Sequence, residues 1–314
     1  MPNEQKSNKV GTDDNQPYHV PVMLKEAVDA LSIVPSGIYV DCTFGGGGHS
    51  REILSRLGAT GKLIAFDQDL DAKRNKIEDN RFVLIEENFR HIGRFLKFYG
   101  VKKVDGSLAD LGVSSHQFDE AERGFSTRFD GELDMRMNQS SKMSAKKIIN
   151  TYTEEMLAKI LFMYGELRNS RAIAHTIVEA RADGVIETSF QLRKLLQKFL
   201  PKAKAHKILA QIFQAIRIEV NEELEVLKEF LIQTPNLLTP EGRLSIISYH
   251  SLEDRLVKRF IRTGLFDGEP EKDFFGNIDV PLMKLGKLII PNKEEIRKNN
   301  RARSAKLRVA KLKT

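Results

Sequence analysis

At 314 residues, with 41% hydrophobic and 30% charged residues, the chain has the balance of a soluble globular protein and material for one large domain or two ordinary ones. Its single cysteine, Cys42, excludes an internal disulfide and a cysteine-cluster zinc site, and no apolar run approaches the ~20 residues of a membrane span. The net charge of +7 is modest, the start "MPNEQKSNKV" has no signal-peptide core, and the expectation is a cytoplasmic protein in a reducing setting.

Residues 1–17 are polar and aperiodic and read as disordered. From Gly37 strands and helices alternate. "GIYVD" reads as a strand, "HSREILSRLG" as a helix ending at Gly58, and "KLIAFD" as a second strand followed by a charged helix over residues 70–79. "RFVLIEEN", "RHIGRFLKFYG" and "VDGSLADLG" continue as strand, helix and strand. Such alternation implies parallel pairing in a doubly wound sheet. After Val113 the pattern breaks. "SAKKIINTYTEEMLAKILFMYG" and "SRAIAHTIVEARADG" carry apolar residues at helical spacing, and Pro201 interrupts them before a further helix, "HKILAQIFQAIRIEVNEELEVLKEFL". "LLTPEGRLSIISYHS" then returns to the sheet through a Pro-Glu-Gly turn. The expected architecture is a Rossmann-like α/β domain built from residues 18–117 and 221–314, with a mainly helical insertion at 118–220.

The run "DCTFGGGGHS" closes the first strand. A phosphate-binding loop would need Gly-Lys-Ser/Thr at its end, but His49 and Ser50 follow the glycines. A dinucleotide fingerprint on Gly45 and Gly47 would meet Ser50 where Gly or Ala belongs. Asp41-x-Thr43-x-Gly45-x-Gly47 suits S-adenosylmethionine better, with loop backbone passing directly beneath the ligand; an ordinary tight turn rarely needs four glycines. Asp67, 26 residues after Asp41, stands where a carboxylate accepts both ribose hydroxyls of an adenosyl ligand, an argument that suits NAD equally. Asp69 reads as a helix N-cap. Phe89, after the third strand, either covers an adenine or packs in the core.

The fourth strand ends "LADLGVSSHQ". An exocyclic amine is a weak nucleophile because its lone pair is delocalised into the ring, so an oxygen must hold its N–H during methyl transfer. Asp110 is placed for that, although Leu-Gly-Val stands where amine methyltransferases commonly have Pro-Pro-aromatic. In "SYHSLEDR", Ser251 reads as an N-cap with Asp254 three positions on, and His250 as an alternative contact to the base. As a metal site the stretch is weak, for no further His or Cys completes it. No metal is expected.

Charge is unevenly placed. Residues 287–314 hold ten Lys or Arg against two Glu, and residues 191–207 hold six with no acid. Both read as phosphate-gripping patches for a nucleic acid, or as solvated helix faces and a loose tail.

"DCTFGGGGHS", "DLGVSSHQFDEAERGFS", "LDMRM", "FQAIRIEVNEEL", "GRLSIISYHSLEDRLVKRF" and "NRARSAKLR" closely resemble the bacterial 16S rRNA cytosine-N4 methyltransferases of the RsmH (MraW) type, from about His19 onward. The resemblance implies a class I S-adenosylmethionine-dependent enzyme acting on a decoding-centre cytosine of 16S rRNA within the small ribosomal subunit, with the insertion recognising RNA. It places cofactor contacts on Gly47, Gly48, His49, Asp67, Phe89, Asp110 and Gln117; the reading of the strand ends above puts the catalytic role on Asp110, with Ser114, Ser115 and His250 as auxiliaries. Two departures stand out. His116 replaces a proline in Ser-Ser-Pro-Gln, which leaves that loop less rigid, and Tyr249 precedes His250 where the family often has Phe. An NAD-dependent oxidoreductase and a non-catalytic RNA-binding protein on a decayed fold remain the other classes, and the oligomeric state, a homodimer included, is open.

Overall fold

Residues 21–313 are described by a computed structural model; the expected disordered segment, residues 1–17, lies outside them. Helix α1 (Leu24–Asp29) leads into β1 (Ile38–Asp41), and α2 (Gly48–Arg56) carries the chain back to β2 (Lys62–Phe66). The steps repeat through β3 (Phe82–Ile85), α3 (Ile92–Phe98) and β4 (Val104–Asp110). The charged helix expected over 70–79 is only a 3-10 turn, Leu70–Asn75. It stops because the Asn75 side chain turns to the Gly45 carbonyl at 3.0 Å and Lys76 goes extended.

Six helices follow, α4 (Ser115–Asp119), α5 (Ala145–Thr151), α6 (Glu154–Met163), α7 (Ser170–Asp183), α8 (Ser189–Leu195) and α9 (Ala205–Asn221), most of them in the stretch expected as an insertion. Two helices read as continuous are broken. Tyr152 is extended and Thr153 caps α6, while Glu222, at φ +51°, separates α9 from α10 (Glu223–Leu237). Buried side chains from Phe125 to Val220 form their own hydrophobic cluster, whereas Leu227, Phe230 and Leu231 of α10 pack with the sheet.

β5 (Leu238–Ser248) then pairs with β4, and the Pro-Glu-Gly segment lies inside it as an irregularity of register between Val104 and Gly106. α11 (Ser251–Thr263), β6 (Leu282–Ile289), α12 (Lys293–Lys298) and β7 (Lys306–Leu312) complete the chain. The seven strands run in the order β3-β2-β1-β4-β5-β7-β6. The first five are parallel; β7 is antiparallel to both β5 and β6. Alternating residues feed two cores: Val40, Ile64 and Phe66 face α3, α10 and α11, while Tyr39, Leu63 and Ala65 face α1 and α2.

The C-terminal stretch is therefore no loose tail. It supplies a strand flanked on both sides, and among the described residues six of its ten cations have carboxylate partners: Lys306 and Arg308 on Asp254, Lys311 on Glu241, Lys313 on Asp279, Lys298 on Glu294 and Arg301 on Asp119.

Candidate active site

The strand order reverses around β1, between β2 and β4, which is where open α/β sheets bind ligands beyond the carboxyl ends of their strands. Asp41 pairs with Ala65 on one side and Leu108 on the other, so Asp67 and Asp110 each project two residues past the same row. The carboxylates thus flank the glycine loop from strands two positions apart, about 10 Å across. The loop is stitched to both neighbours. Cys42 N–H donates to the Leu108 carbonyl at 2.8 Å, and Phe44 N–H to the Phe66 carbonyl at 2.9 Å.

The glycines answer to different neighbours. Gly45 and Gly47 have φ of +51° and +75°, left-handed values that favour glycine. A Cβ on Gly48 would lie 2.0 Å from Cγ of Pro21, so here the close approach is made by the chain's own N-terminal segment. Above Gly45 the space is open: a Cβ there would meet only Ser114 Cβ, at 3.9 Å.

Asp41 and Ser50 lie beneath. The Ser50 hydroxyl donates to Asp41 Oδ2 at 2.6 Å and Thr43 N–H to Oδ1 at 3.1 Å, both residues being buried. Ser50 stands where a nucleotide fingerprint wants Gly or Ala because its hydroxyl serves this carboxylate. Burial pushes the Asp41 carboxyl up to about 6, against the Ser50 and Thr43 bonds that lower it.

Asp67 accepts Gly45 N–H on Oδ2 at 2.7 Å and Asp69 N–H on Oδ1 at 2.9 Å. Each oxygen keeps a second lone pair. Burial pushes this carboxyl up to about 6. Asp69 caps the 3-10 turn as expected, accepting Asp71 N–H, and it also holds two partners that sequence reading missed or misplaced. Gln117 Nε2 donates to Asp69 Oδ2 at 2.6 Å, and Arg123 donates to the same oxygen at 2.8 Å and to Asp71 Oδ2 at 2.9 Å. Gln117 Oε1 accepts Ser114 N–H at 3.0 Å in a capping box that opens α4. Its amide thus braces the loop from both ends. His116, at the position of the missing proline, contacts Asp71 at 3.3 Å and supplies a tie of its own. Ser115 is the first residue of α4. Phe89 is half-buried and meets Phe230 edge-on, ring centroids 5.4 Å apart.

Asp110 is tied to the ends of both β1 and β5. Its N–H donates to Thr43 Oγ1 at 2.7 Å, and its Oδ1 accepts the Tyr249 hydroxyl at 2.7 Å. Oδ2 lies 3.8 Å from His49 Nδ1. His49 is buried, with Nε2 3.1 Å from the Val22 carbonyl. A carbonyl only accepts, so Nε2 carries the proton and the bare Nδ1 faces Asp110. Burial holds the His49 pKa down. Burial likewise pushes the Asp110 carboxyl up to about 6, against His49 when that ring is protonated and the Tyr249 hydroxyl, which lower it, while Asp41 and Glu253 raise it.

The expected cap at Ser251 is corrected. His250 is the N-cap of α11, its ring accepting Glu253 N–H, while Glu253 reaches back to the backbone N–H of Tyr249 at 2.8 Å and of His250 at 3.3 Å. Asp254 turns to Lys306 and Arg308 instead. His250 thus serves its helix and sits 3.1 Å from Glu253. Glu223, from the α9–α10 break, joins them within 4.8 Å, an acidic cluster that a search for His and Cys overlooks. The Arg217 guanidinium already serves it, donating to Glu223 at 2.8 and 2.9 Å.

Of the two basic stretches, that of residues 191–207 stays open to solvent. Arg193, Lys194, Lys198, Lys202, Lys204 and Lys207 are exposed and have no carboxylate partner among the described residues. No helix among the described residues is long and apolar enough to cross a membrane.

A family model described as the MraW methylase family matches residues 16–313. A protein named ribosomal RNA small subunit methyltransferase H from Christiangramia forsetii is 68% identical over 94% of this chain and 97% of its own length. Its namesake from Flavobacterium johnsoniae is 63% identical over 93% and 97%. A crystal structure of an rRNA methylase from Streptococcus thermophilus matches 95% of this chain and 100% of its own at 12% identity and a TM-score of 0.39.

Proposed function

The chain belongs to the MraW methylase family, and on that premise we propose that it methylates the N4 amine of the decoding-centre cytosine at position 1402 of 16S rRNA. It is a methyltransferase, and its methyl donor is S-adenosylmethionine. The observation that carries the reading is the pair Asp67 and Asp110, ending strands on either side of the glycine loop in one row.

These residues fit the donor. The open cradle above Gly45 lies beside Asp67, whose spare lone pairs suit two ribose hydroxyls, and Phe89 offers a ring at the next strand end. Gly47, Gly48, His49 and Gln117 shape the cradle from below through the contacts described. When bound, S-adenosylmethionine supplies an electrophilic methyl group on a sulfonium.

Asp110 does the rest of the chemistry. A paired or stacked cytosine cannot present its amine at the strand ends, so the base is turned out to meet this carboxylate. Oδ1 already accepts the Tyr249 hydroxyl, so Oδ2 is the freer oxygen to accept the amine N–H. The carboxylate then offsets the positive charge that grows on the nitrogen and takes the proton released. His49 Nδ1, 3.8 Å away, is the next acceptor in line. Ser114 Oγ accepts Gln117 N–H in the capping box but keeps its proton, so both loop serines remain for the base.

The rRNA is held by the insertion of residues 118–220, whose exposed cations at 191–207 face solvent, and the enzyme works in the cytoplasm on the small subunit. The test is methylation of isolated small subunits with labelled S-adenosylmethionine, followed by nucleoside analysis. Label in N4-methylcytidine is expected. Label in another nucleoside overturns the base assignment, and no transfer overturns the rRNA reading.

A further inference from the structure

α11 separates its charges by face. Its acids, Glu253 and Asp254, are buried and paired inward, while Arg255, Lys258 and Arg262 are exposed, with Arg259 half-buried, at the i, i+3, i+4, i+7 spacing of one helical stripe. Arg255 is engaged by Glu166, and Asp267 and Glu269 lie near the far end of the stripe. Between α11 and the sheet's edge strand β6 the picture is cleaner. There a groove is rimmed by Lys258, Arg262, Lys284 and Lys287, floored by Leu285 and Leu288 among others, and lined by no acid. These four cations have no carboxylate partner among the described residues, unlike most of the C-terminal cations. Cations above an apolar floor suit a nucleic-acid strand, with phosphates on the rim and sugar or base against the floor.

The groove is in register with the site. Asp110 pairs with Ile247, Ile247 with Leu307 and Leu307 with Ile289, which puts the end of β6 in the same lateral row as the catalytic carboxylate. Three strand spacings separate them, about 14 Å. α11 itself begins two residues after Tyr249, the partner of Asp110.

We propose that the groove between α11 and β6 binds the sugar-phosphate backbone of single-stranded rRNA flanking the target base. This rests on the rRNA reading above and adds a surface to it, separate from the insertion's cations. The competing role for Lys284 and Lys287 is protection of an edge strand against pairing with another chain, which needs no ligand.

The test is binding of the full chain to a labelled oligouridine across a salt series, alongside methylation of isolated small subunits. Each phosphate contact removed from a single strand flattens the slope of log affinity against log salt by about 0.7, so K258Q/R262Q should flatten it by about 1.4. K284Q/K287Q, on a different element, should do the same, while K311Q/K313Q should leave the slope unchanged and affinity for S-adenosylmethionine should hold throughout. Wild-type slopes in both groove variants, from an enzyme that methylates subunits, overturn the groove and leave the rRNA reading standing. A wild-type chain that neither binds oligouridine nor methylates subunits overturns both.

Discussion

The Tyr249 hydroxyl donates to Asp110 Oδ1 at 2.7 Å, joining the residue after β5 to the last residue of β4. Gly112 lies beneath the tyrosine ring at φ +97°, a left-handed conformation that favours glycine. The ring's backbone is fixed in turn by Glu253. One carboxylate oxygen thereby has a fixed partner, and in the proposed mechanism the other meets the substrate amine. The bond also favours the ionised carboxyl, opposing the burial that pushes it up to about 6.

Tyr249→Phe should therefore raise the Asp110 pKa further. Activity needs the carboxylate, so it is lost as pH falls through that value, and the acid limb of the single-turnover rate should move up by about one pH unit. Rates well above the limb should change little. An unshifted limb with an unchanged rate would remove Tyr249 from the mechanism.

Asp110→Asn keeps the shape and one acceptor but loses the charge that offsets the cationic amine. Turnover on small subunits at saturating donor should fall by about 10²-fold or more. RNA affinity should barely change. Near wild-type rates would move the acceptor role to Ser114, Ser115 or His49.

Asp67→Ala unties Gly45 and Asp69 from the carboxylate and removes the charge-assisted hydrogen bonds proposed to the ribose. Donor affinity should weaken by about 1.5–3 kcal/mol, measured by titration calorimetry. In the wild type the carboxyl sits near 6, and binding favours its ionised form. Affinity should accordingly decline as pH falls through that value, and the decline should be absent in the alanine variant.

Arg123→Met tests the brace beneath the site. Arg123 and Asp69 are both buried, and removing the guanidinium leaves Asp69 with a charge that only Gln117 and the Asp71 N–H answer. Denaturant unfolding should show a loss of about 3–5 kcal/mol. A loss under 1 kcal/mol would mean that water replaces the guanidinium without strain.

The alternation of apolar strands and amphipathic helices was legible in the chain because side-chain period is local: two for a strand, 3.6 for a helix. Strand ends follow from it, and with them Asp67, Asp110 and the glycine loop, since a doubly wound sheet presents those ends on one edge. The resemblance of the motifs carried the family. Lengths and breaks of helices were less legible, as at Glu222, where a residue of ordinary helical preference takes a left-handed conformation that only the packing of α9 and α10 on different cores demands.

Partners distant in sequence were decided by tertiary structure alone. The ten cations of residues 287–314 read as a polyanion patch, yet β7 inserts between β5 and β6 and brings Lys306 and Arg308 to Asp254 of α11 and Lys311 to Glu241 of β5. Charge along a chain has no period that says which side chain will meet an acid. His250 and not Ser251 caps α11, because the choice depends on where Glu253 can reach the backbone. Tyr249 and Asp110 are 139 positions apart, and a hydrogen bond at that separation exists only once β4 and β5 are paired.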